Sequence, residues 1–142
     1  MSAGHYRDLF SVKGRVVFCA GGVGAIGGEM AKALAAYGAR VAIADISQEA
    51  SSAAAAQLAE ESGCEAMGVA IDVLDAASVA QGAAAVERKL GPIDVLINTV
   101  GTHVEQAAED VTLDAWDKVV GVNLRGAFIL SQSDSLGGQV PQ

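Results

Sequence analysis

The stretch Val16-Val17-Phe18-Cys19-Ala20-Gly21-Gly22-Val23-Gly24-Ala25-Ile26-Gly27 decides the fold of this chain. It begins with an apolar run that does not alternate with polar residues, which predicts a strand buried on both faces. Beyond the glycine-rich turn, Ile26, Met30, Leu34 and Tyr37 recur at the spacing of one helix face. A strand, a glycine-rich turn and a helix in this order are typical of a backbone that approaches a pyrophosphate closely.

Two glycine registers can be drawn through this turn. Gly22, Gly24 and Gly27 satisfy G-x-G-x-x-G, while Gly21, Ala25 and Gly27 fit G-x-x-x-G-x-G with alanine in the middle. In a chain with 17 glycines, either pattern alone is weak evidence. Its position between a buried strand and a helix gives the turn its weight.

The rest of the chain repeats the alternation of strand and helix. We expect strands at 16–19, 41–44, 66–70 and 93–97, the first two of them central in the sheet. Expected helices cover about 26–37, 48–62, 76–90 and 113–130, with Asp75 and Thr112 as N-caps. This order predicts an α/β fold, a Rossmann-like doubly wound parallel sheet of about four strands. Residues 1–131 would form it, and 132–142 would be a divergent, disordered tail.

Composition excludes several functional classes. The formal charge of -8 repels a phosphate backbone, so we expect no nucleic-acid partner. Cys19 and Cys64 form no CxxC pair, which argues against a metal site or a disulfide framework. The first ten residues contain no secretory signal and no apolar run is long enough to span a membrane, so we expect a cytoplasmic protein.

Asp45 stands at the end of the second expected strand, 18 residues after Gly27. A carboxylate at this position can accept hydrogen bonds from both ribose hydroxyls of adenosine and would repel a 2'-phosphate. Ile46 and Ser47 add no positive charge that would reverse the preference. The sequence therefore predicts NAD rather than NADP as the cofactor.

With four motifs besides Asp45, the chain resembles the N-terminal half of a classical short-chain dehydrogenase/reductase over about residues 9–131. The motifs are the Asp72-Val73 pair, the run Asn98-Thr99-Val100-Gly101, Asn123 within Val122-Asn123-Leu124, and the Gly21, Ala25, Gly27 register of the turn. The resemblance implies that NAD is bound by Gly21, Val23, Gly24, Ala25, Ile26, Gly27, Asp45, Asp72, Val73, Asn98 and Gly101.

The resemblance also implies individual roles. Asp72 would hydrogen-bond the adenine amino group, Val73 would line the adenine pocket, and residues 98–101 would run beside the cofactor and stabilise the central strands. Asn123 is the helix-bending member of the family's catalytic group and the only member present, and its backbone carbonyl would position a water for proton relay. From the residues alone, Asp72 could instead cap a turn, 98–101 could be a tight turn, and Asn123 could be a satisfied buried amide.

Three residues depart from the family pattern. Ala20 stands where the family usually has threonine, so a hydroxyl that ties the glycine turn to the loop from Asn98 is missing. Ala25 adds a methyl group at the second glycine, and Val100 adds bulk where the family prefers alanine. Because small added volumes in packed regions typically cost about 1 to 3 kcal/mol, we expect a slightly shifted or weakened cofactor site.

The family's catalytic residues beyond Asn123 are absent from this sequence. The family uses a serine and a tyrosine followed four residues later by lysine, whereas Tyr6 and Tyr37 are followed at that spacing by Phe10 and Val41. We therefore expect a truncated form or a fragment that retains the cofactor-binding half and is inactive by itself. His103 lies alone in a loop with no partner carboxylate placed by a motif, so we assign it no catalytic role.

A missing second half would leave the fourth strand as a sheet edge and one helical stripe partly uncovered, which favours a homo-oligomer. That stripe consists of Trp116, Val120, Leu124 and Phe128. Three functions fit these patterns: hydride transfer between NAD and a small alcohol or carbonyl substrate, a non-catalytic dinucleotide-binding or interaction module, and a methyltransferase with a similar glycine loop. The run from Asn98 and Asn123 count against the methyltransferase.

Overall fold

Four parallel strands form a single sheet in the order β3-β2-β1-β4. The computed structural model describes residues 9–133, so the predicted tail lies outside the described residues from residue 134 onward. The strands are β1 (Val16–Ala20), β2 (Arg40–Asp45), β3 (Ala66–Ala70) and β4 (Val95–Asn98). The parallel α/β sheet and the central places of β1 and β2 confirm the predicted fold.

Helices cover both faces of the sheet. They are α1 (Ala25–Ala36), α2 (Gln48–Ser62), α3 (Ala76–Leu90), α4 (Leu113–Val120) and α5 (Ala127–Gln132), with a π-helical segment, Gly121–Gly126, between the last two. Alternate residues of β1 point to opposite faces. One buried cluster joins the sheet to α1 and α2: Val17, Cys19, Ala31, Ala35, Val41, Ile43, Ala55 and Leu58. The other joins it to α3 and α5: Val16, Phe18, Ala20, Val79, Ala83, Val86, Leu90 and Leu130.

The buried face of α1 differs from the apolar stripe that the sequence suggests. Ile26 and Tyr37 are 72% and 77% exposed, whereas the helix buries Gly27, Ala31 and Ala35. Small side chains let the helix axis approach the sheet closely. Of the four residues in the predicted stripe only Leu34 packs against the buried cluster, while Ile26, Met30 and Tyr37 are exposed. The spacing correctly predicted a helix, but the face on which these large apolar residues lie is mostly exposed rather than packed on the sheet.

The fourth strand begins at Val95, two residues later than expected. Just before the strand, the Asp94 carboxylate accepts the Val16 N–H at 2.8 Å, and the Asp94 N–H donates to Val16 O at 2.9 Å. The other carboxylate oxygen of Asp94 lies 2.8 Å from Arg15 Nη1. Asp94 thus joins the beginnings of the two strands through its side chain before regular pairing starts.

Asp94 makes the stability of the protein depend on pH. Partial burial by itself would raise the pKa of this carboxyl, but the Val16 N–H, the hydrogen bond and charge of Arg15, and the charge of Arg40 together hold the pKa below its ordinary value. Because the folded-state pKa is depressed, the stabilisation is present above the unfolded pKa of about 4 and is lost as the pH falls through the lower folded value.

We therefore expect Asp94→Asn to lower the free energy of unfolding by about 1 kcal/mol at pH 7. The difference from the wild type should shrink as the pH falls below about 4 and through the lower folded-state pKa, below which both proteins carry a neutral side chain. Urea unfolding at pH 7 and pH 3 measures it, with the exposed Asp117→Asn as the control. A difference that stays constant between the two pH values would contradict this account.

The predicted helix over 113–130 is interrupted. Thr112 caps α4 as expected, accepting the Ala115 N–H, but the π-helical segment separates α4 from α5. At Gly126 an added Cβ would lie 2.8 Å from Val73 Cγ2, so this segment packs tightly on the loop after β3. The π-helical segment includes Asn123, where the family resemblance implies a bend in the helix, and it contacts a loop some 50 residues earlier.

The two edge strands of the sheet, β3 and β4, differ in the hydrogen bonds on their outer sides. On β3 the side chain of Gln48 acts as a partner: its Nε2 donates to Gly68 O at 3.1 Å and its Oε1 accepts the Ala70 N–H at 3.0 Å. In the described part of the chain no strand pairs with the outer side of β4, as predicted. None of the helices in the described residues is long and apolar enough to cross a membrane.

Candidate functional site

The residues that the sequence marks as a cofactor site meet at the carboxyl ends of the strands. In a doubly wound sheet this is the edge at which ligands bind. The glycine turn follows β1, Asp45 ends β2, the Asp72-Val73 pair follows β3, and Asn98 ends β4. The first turn after β1 and the loop after β4 touch directly, since the Thr99 N–H donates to Ala20 O at 2.9 Å.

The turn after β1 needs glycine at its first and last positions. Gly21 has a φ of +78°, a conformation that other residues rarely adopt. A Cβ at Gly27 would overlap the carbonyl oxygen of Gly21, whereas Ala25 already begins α1 with its methyl group exposed. These positions favour the register through Gly21, Ala25 and Gly27.

Gly22 also has little free space, which the preferred register does not anticipate. A Cβ there would lie 2.9 Å from Cys19 O and 3.1 Å from Ile43 Cγ2. The N–H groups of Gly21 and Gly22 both point to the carbonyl of Ala44, at 2.8 and 3.3 Å. The adjacent glycines Gly21 and Gly22 were the sequence feature that could have predicted this close contact between the ends of β1 and β2.

The N-terminus of α1 is built differently from those of the next three helices. Ser47, Asp75 and Thr112 each cap a helix with a side-chain oxygen, but α1 has Gly24 at its N-cap and no side-chain cap. The first-turn N–H groups of α1 are therefore not satisfied by a side chain. Unpaired N–H groups and the positive end of the helix dipole together suit an anion such as a pyrophosphate.

Thr99 supplies the tie that Ala20 was expected to lack. Its hydroxyl oxygen lies 3.1 Å from Ala20 O and 3.2 Å from Gly21 O, close enough to donate to either carbonyl. Position 20 has no hydroxyl, but the link between the turn and the loop after β4 is made instead by Thr99 of the loop. The sequence contained this residue, but only the fold brings positions 20 and 99 together.

Beside the turn lies a cavity of about 200 Å³ with mostly apolar walls. Its lining residues are Asp45, Ile46, Ile71, Asp72, Val73, Leu74, Val100 and Val122. The cavity thus brings together three of the predicted cofactor residues from the ends of two strands. The side chain of Val100 forms part of its wall.

Both carboxylates of this cavity already accept one backbone hydrogen bond. Asp45 Oδ1 accepts the Ile46 N–H at 2.8 Å, and Asp72 Oδ1 accepts the Leu74 N–H at 2.9 Å. The turn-capping geometry considered for Asp72 is thus present. Each carboxylate retains a second oxygen that can accept a further hydrogen bond from a ligand.

The remaining predicted residues shape the loop after β4. Asn98 Oδ1 accepts the Val100 N–H at 3.0 Å, which closes a tight turn. The amide of Asn123 pairs with both backbone groups of Thr102, accepting at 2.8 Å and donating at 2.9 Å. Asn123 is exposed rather than buried, and a Cβ at Gly101 would lie 3.5 Å from its Oδ1. The structure therefore places Asn123 against this loop.

Cys19 lies under the glycine turn as a neutral thiol. Burial, and to a smaller extent the negative charge of Asp45, raises the pKa of Cys19 to about 11. Its Sγ donates to Gly27 O at 3.4 Å. Since only the thiolate is nucleophilic, this residue supports the turn and does not react.

The sequence model of the short chain dehydrogenase family matches residues 15–135. The chain belongs to this family. D-threitol dehydrogenase of Mycolicibacterium smegmatis is 40% identical over 124 residues, which cover 87% of this chain and 47% of that protein. Gluconate 5-dehydrogenase of Gluconobacter oxydans is 35% identical over 128 residues, covering 90% of this chain and 50% of that protein. The crystal structure of gox2181 superimposes with a TM-score of 0.84 at 34% identity, covering 90% of this chain and 50% of that one.

This short-chain dehydrogenase chain spans about half the length of the curated relatives it matches. Membership of the family confirms the resemblance and favours an oxidoreductase over the binding-module and methyltransferase alternatives. It also implies a nicotinamide dinucleotide cofactor. The residues present fit such a group on two observations: the uncapped helix that follows a turn made for close approach, and the apolar cavity with two carboxylates beside it.

Proposed function

We propose that this chain forms the NAD-binding half of an oxidoreductase that transfers hydride between NAD and a small alcohol or carbonyl substrate. The observation that carries the proposal is the position of Asp45 in the wall of the apolar cavity beside the glycine turn. NAD, when bound, supplies or accepts the hydride. Residues of this chain hold the pyrophosphate and the adenosine of NAD.

Each part of the proposed site has a distinct role. The backbone N–H groups of Val23, Ala25 and Ile26 at the start of α1 hold the pyrophosphate without a cationic side chain. Val73 and the other apolar residues of the cavity enclose the adenine, and Asp72 accepts its amino group. Asn98 and Gly101 shape the loop that would run beside the cofactor. Asn123, held by the backbone of Thr102, would direct its backbone carbonyl toward a water that relays the proton.

Asp45 selects NAD in this proposal. Its carboxylate would accept hydrogen bonds from the ribose hydroxyls, whereas a 2'-phosphate would meet a like charge and the exposed apolar side chain of Ile46. Juxtaposed like charges at an interface cost several kcal/mol, so the preference should be large. The arrangement offers no lysine or arginine among the residues lining the cavity to offset this repulsion.

Calorimetric titration of the chain with NAD and NADP tests the proposal. We expect NAD to bind at least about tenfold more tightly than NADP, and Asp45→Ala to bring the two affinities close together. Asp117→Ala, an exposed carboxylate on α4, is the matched control and should leave the preference unchanged. Equal binding of both cofactors by the wild type would refute the role of Asp45, and no binding of either would refute the cofactor site.

We further propose that these 142 residues do not turn over alcohols by themselves, because none of their tyrosines is followed four residues later by lysine. The relatives' names, D-threitol dehydrogenase and gluconate 5-dehydrogenase, favour a polyhydroxylated substrate for the whole protein. An assay of NADH formation with a panel of sugar alcohols and sugar acids measures this. Sustained NADH formation by the chain alone would contradict the proposal.

The exposed stripe on the last helices supports self-association. Trp116, Leu124 and Phe128 are 60%, 69% and 61% exposed, so a large apolar surface faces outward. We expect the chain to sediment as a dimer or larger species and Leu124→Glu to shift it toward the monomer. Tyr37→Glu, on the opposite side of the sheet, is the control. A wild type that sediments as a monomer would contradict this part of the proposal.

A further inference from the structure

The hydroxyl of Thr99 lies where the turn after β1, the start of α1 and the loop after β4 meet. A Cβ placed on either Gly21 or Gly27 would come within 2.7 Å of Thr99 Oγ1. The two glycines therefore leave the space that this hydroxyl occupies. Thr99 is only partly exposed, so water competes weakly for the two carbonyl oxygens of Ala20 and Gly21 beside it.

The carbonyl of Gly21 is the group that Thr99 controls. It accepts the Gly24 N–H at 3.0 Å and lies 3.2 Å from the Thr99 hydroxyl, whose one proton it shares with the Ala20 carbonyl at 3.1 Å. In the described part of the chain, no other side chain donates to this oxygen. When the hydroxyl donates to Gly21 O, this oxygen has two donors, which together hold the peptide plane of the turn in place.

The orientation of the Gly21 peptide affects how tightly an anion can bind at the turn. The turn lies directly before the uncapped N-terminus of α1, where N–H groups must point outward together to hold a pyrophosphate. A carbonyl released from its donors could rotate and present negative charge to the same anion. Preorganised dipoles bind more tightly because no energy is lost in ordering them during binding.

We infer that Thr99 is a positioning residue for the pyrophosphate end of the cofactor site and acts through the Gly21 carbonyl. This inference rests on the proposed function, since it assigns Thr99 a role toward the same cofactor. Thr99 does not line the cavity assigned to adenine, whose wall on this loop is Val100. Its effect should therefore depend on the phosphates of the ligand and not on the nucleoside.

Titrations with ADP and with adenosine, monitored by amide chemical shifts of the full chain, separate these two contributions. We expect Thr99→Val to weaken ADP binding about tenfold, the effect of one lost hydrogen bond, and to leave the adenosine affinity unchanged. Thr99→Ser keeps the hydroxyl and should bind both ligands like the wild type. Thr99→Ala, which removes the hydroxyl without setting a methyl group against the carbonyls, should repeat the loss and serves if the valine variant does not fold.

Ser131→Ala is the matched control, because it removes a hydroxyl that donates to a backbone carbonyl at 2.8 Å far from the turn. The inference is overturned if the hydroxyl-free variants bind ADP like the wild type, or if they lose ADP and adenosine affinity equally. Loss of ADP affinity in Thr99→Ser would also overturn it, since the hydroxyl would then be irrelevant. A wild type that binds neither ADP nor NAD would instead refute the proposed function itself.

Discussion

Gly27→Ala should weaken NAD binding about a hundredfold. This loss corresponds to the upper end of the free energy that overpacking a core usually costs. The added methyl group would overlap the Gly21 carbonyl oxygen and lie 2.7 Å from Thr99 Oγ1. Because the first atom belongs to the backbone, it can move only together with its peptide plane, so the turn must open or α1 must shift. Either movement displaces the N–H groups that are proposed to hold the pyrophosphate.

Gly28→Ala is the control for this variant, one residue further along the same helix. There a Cβ would make an ordinary contact of 3.5 Å with Gly22 O. Alanine also favours helix by about 1 kcal/mol over glycine, so this variant should bind NAD normally and unfold at a higher urea concentration. Calorimetry and urea denaturation measure both effects. Equal NAD affinity in the two variants would show that the close approach at Gly27 is not needed.

Gly68→Ala should destabilise the fold by about 3 kcal/mol or more, the largest effect on stability that we expect. A Cβ at this position of β3 would overlap the backbone of Ser51 and Ser52 in α2. The helix rests directly on the strand here, and Ser51 is fully buried. The substitution must therefore push α2 away from the sheet and open the core beneath it.

Gly63→Ala isolates the ordinary cost of replacing a glycine in this region. Gly63 ends α2 with a φ of +70°, and nothing lies within 4 Å of the Cβ position. Only the backbone strain of a left-handed residue applies, about 1 kcal/mol. Urea unfolding followed by circular dichroism compares the variants at equal protein concentration. Similar losses in both would mean that the contact between α2 and β3 relaxes without cost.

Local chemistry made several elements predictable. The expected limits of α2 and its left-handed cap at Gly63 agree with the structure, as do the caps at Asp75 and Thr112. These features depend on residues within a few positions of one another, because a cap needs only a side-chain oxygen beside the first free N–H groups. The buried runs of β1 and β2 were predictable for a similar reason, since unbroken apolar sequence has no favourable place at a sheet edge.

The errors arose where two distant segments meet. Just before β4 the Asp94 carboxylate accepts the Val16 N–H, and the π-helical segment packs at Gly126 on the loop holding Val73. The buried side of α1 follows from how closely the helix approaches the sheet, which the spacing of large apolar residues does not report. Each of these features is set by contacts whose partners lie tens of residues apart.

Three features followed from the sequence alone: the order of strands and helices, the glycine turn, and the acidic residue at the end of β2. Each of them depends on short-range backbone geometry and side-chain chemistry. Only the structure shows that the Thr99 hydroxyl links the loop after β4 to the glycine turn, at 3.1 Å from the Ala20 carbonyl. The side chain of Ala20 cannot make this link. A hydrogen bond between positions 79 residues apart exists only after parallel pairing of β1 and β4 has aligned their ends. Local sequence therefore specified the parts of the site, and the register of the sheet decided which side chains hold those parts together.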